Sequence, residues 1–199
     1  QWSVVLDGLA SQRIQALQSA LQQAVQEVDD QMTTWRATSD LMRLNSAPLG
    51  QWVTLPTRLM QVLAAGLAIS QATDGAFEMN LGDAVQAWGF GAAPIDLGRI
   101  RAASQSPPIR ALDALELDTA LSRALKTAPL ALDLSGIAKG YGVDRLAEVV
   151  AEFGIGSALC AIDGELHALG SPWAVAIEPP DSPPRQAHDP LPQSPGGGA

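Results

Sequence analysis

Asp133, Ser135, Lys139 and the glycines at 136, 140 and 142 are the residues of this chain whose types and spacing could do chemistry. They lie between Leu130 and Phe153. There Leu130, Leu132 and Leu134 alternate at the strand period, while Val143, Leu146, Ala147, Val150 and Phe153 recur at the helical one. The pattern predicts a strand over 130–134, a tight turn at Ser135 and Gly136, and a helix with Lys139 in its first turn. A helix N-terminus presents unpaired N–H groups and the positive end of a dipole, so with a lysine beside it a phosphate is a natural occupant. Two glycines early in a helix each cost about 1 kcal/mol relative to alanine, which points to something that needs the backbone close. The usual nucleotide motifs do not fit. Lys139 follows Gly136 by three and is itself followed by glycine, and Gly140-Tyr-Gly142-Val-Asp-Arg145 lacks a third glycine. On spacing alone, a phosphate site and a plain strand-turn-helix unit with an exposed lysine both stand.

The rest of the chain has to position that turn. Its 199 residues, 47% of them hydrophobic, suffice for one well-buried domain. A net charge of −9 argues against a nucleic-acid surface, so a phosphate site must be local. No stretch reaches the roughly 18 uninterrupted apolar residues that span a bilayer. Trp2 to Leu6 reads as a strand. Ser11 to Thr33 reads as a long helix with Ile14, Leu17, Leu21, Ala24, Val25 and Val28 on one face and Ser11 as N-cap. Asp29 and Asp30 read as its solvated end rather than a metal pair, because adjacent positions point about 100° apart. Pro56 to Ala72 forms a second helix, capped by Thr54 or Leu55. Ile95 to Ala103 suggests a short helix and Ala114 to Asp118 a strand, with Thr119 to Pro129 connecting onward to the 130–134 strand. Gly154-Ile-Gly156 stops the helix that carries Lys139. Ala158 to Ile162, Leu166 to Gly170 and Trp173 to Glu178 then read as a meander that turns at Asp163-Gly164-Glu165. Cys160, the single cysteine, reads as an inert core thiol, and His167 as a surface strand histidine without metal partners. From Pro179 the chain becomes rich in proline and glycine, so the expected layout is a domain over 1–179 and a disordered tail over 180–199.

Asp133-Leu-Ser-Gly-Ile-Ala-Lys139-Gly-Tyr-Gly-Val-Asp144 resembles the Asp-x-x-Gly-x-x-Lys-Gly-x-x-x-Asp run of the ApbE-type flavin transferases, the FAD:protein FMN transferases. Other blocks agree. Met32-Thr-Thr-Trp35 and Ser39-Asp-Leu-Met-Arg-Leu-Asn45 are similar to the Met-Ser-x-aromatic and Ser-Glu-Leu-x-x-x-Asn blocks of that family. Asp74-Gly-Ala-Phe-Glu78-Met-Asn80, with Trp88-Gly-Phe-Gly91 after it, resembles Asp-Gly-Ala-Phe-Asp-x-Thr and its Trp-Gly-Phe-Gly element. Asp163-Gly164-Glu165 is similar to Gly-Gly-Glu, and His188-Asp-Pro190 to a shortened His-x-x-Asp-Pro.

The resemblance implies an α+β fold of the ApbE type, T-fold-like, with a mixed sheet flanked by helices. It implies binding of FAD and, with Mg2+, transfer of FMN to a Ser/Thr hydroxyl of an acceptor flavoprotein subunit with release of AMP. Residue by residue it places Trp35 against the flavin nucleotide, and Ala76, Phe77, Glu78, Asp133, Gly164 and Glu165 on FAD. Lys139 falls on the phosphates, the Gly136 carbonyl on the metal, and His188 at the position of a base. It also implies a protein in the periplasm, or anchored to a membrane and facing it, with a targeting segment ahead of Gln1. The sequence departs from the pattern at several positions. Trp35 stands where tyrosine is usual, Glu78 where aspartate is, Asn80 where threonine is, and Asp163 where glycine is, and an Asp-x-x-x-Thr element has no match. Without the resemblance Trp35 reads as a half-buried packing residue. Asp163 either brings an unwanted charge toward a pyrophosphate or fills a turn that accepts aspartate. An FAD pyrophosphatase and an inactive FAD-binding protein are the rival readings.

Overall fold

The structure is a computed structural model, and it describes residues 1–6, 13–90, 95–98, 100–101, 109–170 and 172–175. In chain order its elements are β1 (Trp2–Leu6), α1 (Ile14–Met32), α2 (Asp40–Ser46), β2 (Val53–Thr54), α3 (Thr57–Ala72), α4 (Gly82–Ala87), α5 (Ala111–Ala114), β3 (Leu115–Asp118), β4 (Arg123–Lys126), α6 (Ala138–Glu152), β5 (Ala158–Ile162) and β6 (Glu165–Leu169). The α+β class is as the sequence leads one to expect. The strands, however, form two three-stranded sheets, β1-β5-β6 and β2-β4-β3, and every pairing among the described residues is antiparallel, where a single mixed sheet was expected. The short links from β3 to β4 and from β5 to β6 dictate this, because only antiparallel neighbours can be joined by tight turns. Asp163 and Gly164 close the second link with φ of 45° and 101°, the left-handed pair that a two-residue hairpin turn requires.

Each sheet has its own core. Leu17, Leu21 and Ala24 of α1 recur at the helical period and meet Val143, Leu146 and Val150 of α6, over Ala158 and Cys160 of β5. Ile14, on the same predicted face, is exposed. In the second core Leu41 and Leu44 of α2 and Leu59 and Leu63 of α3 close over Met79, Leu132 and Leu134. Burial of each such leucine stabilises the fold by about 1.5–3 kcal/mol.

Several boundaries differ from the reading of the sequence. Arg13 is the N-cap of α1, and Ser11 lies outside the described residues. Pro56 itself is the N-cap of α3, with no side-chain hydrogen bond. β4 falls within the expected connection, because Arg-Ala-Leu-Lys shows no alternation. Trp173–Val175 lie outside any strand; the Trp173 indole instead donates to the Leu169 carbonyl at 3.0 Å. The expected helix over 95–103 is described only in part, and the expected tail lies outside the described residues.

The segment over 130–134 is the instructive difference. Its leucines are buried, yet it belongs to neither sheet. Its backbone bonds go partly to side chains and partly to the main chain of residues 79–82. The Asn45 amide donates to the Leu132 carbonyl and accepts the Leu132 N–H, both at 2.8 Å, as a neighbouring strand would. Asn80 Oδ1 accepts the Ala131 N–H at 2.8 Å, and the Asp133 N–H reaches the Met79 carbonyl at 2.8 Å. Buried backbone groups must be paired somewhere, and here two asparagines serve.

Candidate flavin-nucleotide site

Two clefts meet where the 130–134 segment turns into α6. One, of about 310 Å³, is lined by Val28 and Met32 of α1, Ala138 of α6 and Ile162 of β5, together with Trp35. The other, of about 460 Å³, is lined by Gln61, Gly136, Tyr141, Asp144 and Glu165. Ser135 and Lys139 belong to both. An apolar slot and a polar one thus share a lysine and a helix N-terminus.

Trp35 is 66% exposed, which decides against a packing role. Its loop is fastened at both ends. Ser39 Oγ donates to the Thr33 carbonyl at 2.7 Å and accepts the Met42 N–H at 3.2 Å as N-cap of α2. Arg36 reaches back to Asp29 and, at 2.7 Å, to Asp30. The end of α1 is therefore a solvated acidic pair, as expected, and one that anchors the tryptophan loop.

Lys139 is exposed in the first turn of α6, whose N-cap, Ile137, makes no side-chain cap. The two early glycines have separate reasons. A Cβ on Gly142 would lie 3.0 Å from Ile162 Cδ1, so Gly142 lets the helix approach β5. A Cβ on Gly140 would meet nothing within 4 Å, and that open space belongs to the polar cleft.

The ApbE family model matches residues 1–194. The chain belongs to the ApbE family. It is 32% identical over 172 residues to a FAD:protein FMN transferase of Vibrio cholerae, covering 82% of this chain and 51% of that protein. It is 31% identical over 191 residues to one of Salmonella typhimurium, covering 90% and 54%. Among solved structures, the apo form of the Pseudomonas stutzeri flavinyl transferase ApbE superposes with a TM-score of 0.73 at 31% identity, over 88% of this chain and 61% of that one. The Vibrio cholerae flavin transferase ApbE gives 0.75 at 29%, over 90% and 60%. The chain thus spans about half the length of the relatives it matches.

The remaining ApbE positions sort by what they touch. Phe77 lies against the turn, since a Cβ on Gly136 would come within 3.3 Å of its Cε2, while Ala76 is exposed. Glu78 Oε1 accepts the Asn80 N–H at 2.7 Å and the Ala111 N–H at 3.0 Å, and Oε2 is buried without a partner. Asp133 is buried, and its Oδ1 accepts the Ser135 N–H at 2.8 Å, shaping the turn from inside. Its accessible side lines a third cleft of about 310 Å³ with Thr34 and Asn45. Gly164 sits in the hairpin turn and Glu165 on the wall of the polar cleft. Asp163 fills the turn, and its carboxylate also brings negative charge toward the Lys139 ammonium. His188 lies outside the described residues.

Four residues make contacts that the sequence did not indicate. Asn45 and Asn80 stand in for a strand. Arg58 donates to Tyr141 Oη at 3.4 Å and pairs with Glu27 at 3.1 Å and Glu148 at 3.8 Å, tying α1, α3 and α6 together. Its guanidinium is held above its usual pKa, foremost by Tyr141, with Glu27 adding and burial opposing. His167 lies partly exposed on β6 as expected, yet its Nδ1 is 2.6 Å from Asp144 Oδ1, so it braces the last acidic residue of the motif. No spacing signal marks these pairs, because their partners are distant in sequence.

Proposed function

We propose that this chain carries the FAD-binding part of a FAD:protein FMN transferase and that it binds FAD across the two clefts. The observation that carries this reading is the sharing of Ser135 and Lys139 by an apolar slot bearing an exposed indole and a polar slot bearing hydrogen-bonding groups. A dinucleotide with one flat flavin, a central pyrophosphate and a polar nucleoside end has the same order of chemistry. The indole face would stack on the isoalloxazine. The ammonium and the first-turn amides of α6 would take the pyrophosphate, and Gln61, Tyr141 and Glu165 would face the polar end.

In the transfer, the oxygen of a Ser/Thr hydroxyl on an acceptor flavoprotein subunit bonds to the phosphorus on the flavin side, and the bond from that phosphorus to the AMP oxygen breaks. The hydroxyl proton passes to a base, and AMP leaves. Charge builds on the phosphate oxygens, where Lys139 and the helix dipole stabilise it. His188 is the candidate base by resemblance. Mg2+ would supply Lewis-acid stabilisation, with the Gly136 carbonyl as a ligand. No three His, Cys, Asp or Glu side chains converge on a metal position among the described residues, so the described residues do not complete such a site. The family resemblance leads us to propose a protein in the periplasm, or anchored to a membrane and facing it; fractionation of the native host tests that.

FAD hydrolysis to FMN and AMP, and FAD binding without turnover, are the rival readings. Incubation with FAD, Mg2+ and a threonine-containing acceptor peptide, followed by mass spectrometry, separates the outcomes. FMN joined to the peptide supports transfer, free FMN with AMP supports hydrolysis, and intact bound FAD supports binding alone. Absence of FAD binding rejects the reading altogether.

A further inference from the structure

We propose that Lys126 and Asn45 are a positioning pair whose function is to preset the phosphate-binding turn. A buried ammonium fixes the end of α2, and from there the Asn45 amide holds the 130–136 segment in the shape FAD requires. The functional part rests on the flavin reading above.

The chain of contacts is continuous. Lys126, on β4, is only 4% exposed, and its Nζ donates to the main-chain carbonyl of Asn45. No carboxylate pairs with it among the described residues. That carbonyl lies in the last turn of α2, where helix carbonyls lack intrahelical donors and the dipole favours a cation. The Asn45 side chain in turn makes both backbone bonds of Leu132. One residue later Asp133 Oδ1 holds the Ser135 N–H, and Ser135 and Gly136 lead directly to Lys139.

This arrangement is costly unless it serves a purpose. An ammonium with a single carbonyl partner is poorly compensated when buried, and burial lowers its pKa accordingly. A methionine could fill the same space without that penalty. What methionine could not supply is the donor that fixes Asn45. Because the 130–134 segment has no strand beside it, the Asn45 amide is the only group that holds both the N–H and the carbonyl of Leu132 among the described residues. If it rotates, Leu132 loses both of its main-chain bonds, and the segment next to the Asp133–Ser135 contact is left to its anchors at Ala131 and Asp133.

The test compares Lys126→Met, which removes the donor, Lys126→Gln, which keeps a neutral donor, and Asn45→Ala. Amide hydrogen exchange is followed by NMR, and FAD affinity by flavin fluorescence. Lys126→Met and Asn45→Ala are expected to speed exchange at Ala131, Leu132 and Ser135 at least tenfold, while Leu146 and Val150 in α6 stay within twofold. FAD binding should weaken at least tenfold in parallel, and Lys126→Gln should recover most of both effects. The proposal is overturned by unchanged exchange in the 130–136 segment, by equal acceleration throughout the molecule, or by local loosening with FAD affinity intact. A wild-type chain that fails to bind FAD rejects the flavin reading and with it the functional role. The exchange data then still judge the structural link.

Discussion

Replacing Trp35 with alanine separates binding from stability. The indole is 66% exposed, so its loss should change folding free energy by no more than about 0.5 kcal/mol. In a chain of this length 1 kcal/mol corresponds to roughly 2–4 °C, so melting should shift by less than about 2 °C. Stacking of a nucleic-acid base on an aromatic side chain is worth about 1–3 kcal/mol by alanine substitution. Carried over to an isoalloxazine, that predicts FAD affinity about 5- to 150-fold weaker. Trp35→Phe keeps a π face and should retain affinity within about fivefold of the parent. Titration of FAD followed by flavin fluorescence, beside a thermal melt of each variant, measures both quantities. Should Trp35→Ala bind FAD within twofold of the parent, the indole does not stack on the flavin. If it melts about 8 °C lower, Trp35 is a packing residue and the account of the apolar cleft is wrong.

Four other predictions concern the same region and its supports. Lys139→Met removes a unit charge that would lie about 4 Å from a phosphate, an interaction of about 1 kcal/mol in water and about 4 at a protein surface. FAD affinity should fall about 10- to 100-fold at low salt, with a smaller difference at high salt; a loss independent of salt contradicts a charge role. Gly140→Ala adds a methyl group to open space in the polar cleft, so melting should hold or rise, by up to about 1 kcal/mol of helix propensity, while FAD affinity falls; unchanged affinity means that no ligand passes there. Glu78→Ala deletes the acceptor of two backbone N–H groups and should destabilise the fold by about 2–4 kcal/mol in urea titration, at roughly 1.5–3 for each charged hydrogen bond less solvent compensation; a change in FAD affinity alone would show that its role is at the ligand. Burial pushes the Cys160 thiol from 9.0 up to about 11. The folded state therefore keeps a proton that the unfolded chain releases, so this contribution is complete below about pH 9 and is lost as pH rises toward 11. Maleimide at pH 8 should label Cys160 only after denaturation, and Cys160→Ser should show a shallower alkaline loss of stability.

Much of this could be read in the sequence where it depends on local periodicity. The faces of α1 and α6, the hairpin at Asp163-Gly164 and the inert Cys160 follow from spacing and residue type. The Asp133–Asp144 motif led to the site because turn, lysine and helix are consecutive in the chain. Long-range pairing left no such trace. Alternation at Leu130, Leu132 and Leu134 reports burial, and burial is what the structure shows, but alternation cannot say whether the partner is a strand or the side chain of an asparagine 87 residues away. β4 was hidden for the opposite reason. Arg123 and Lys126 look like solvent-facing charges, whereas Lys126 is buried under α2 and Arg123 is folded against Asp118 at 2.9 Å and over the Trp52 ring. The Glu78 position was legible as part of a motif. The backbone bonds that engage it became visible only once Ala111 was placed beside it.

Calorimetric titration of FAD into the wild-type chain tests the central claim most directly. The account predicts saturable binding of one FAD per chain, competed by ADP through the turn at Lys139 and weakened by Lys139→Met. A chain that is folded by circular dichroism yet shows no saturable FAD binding would contradict it, as would binding that neither ADP nor the Lys139 substitution affects.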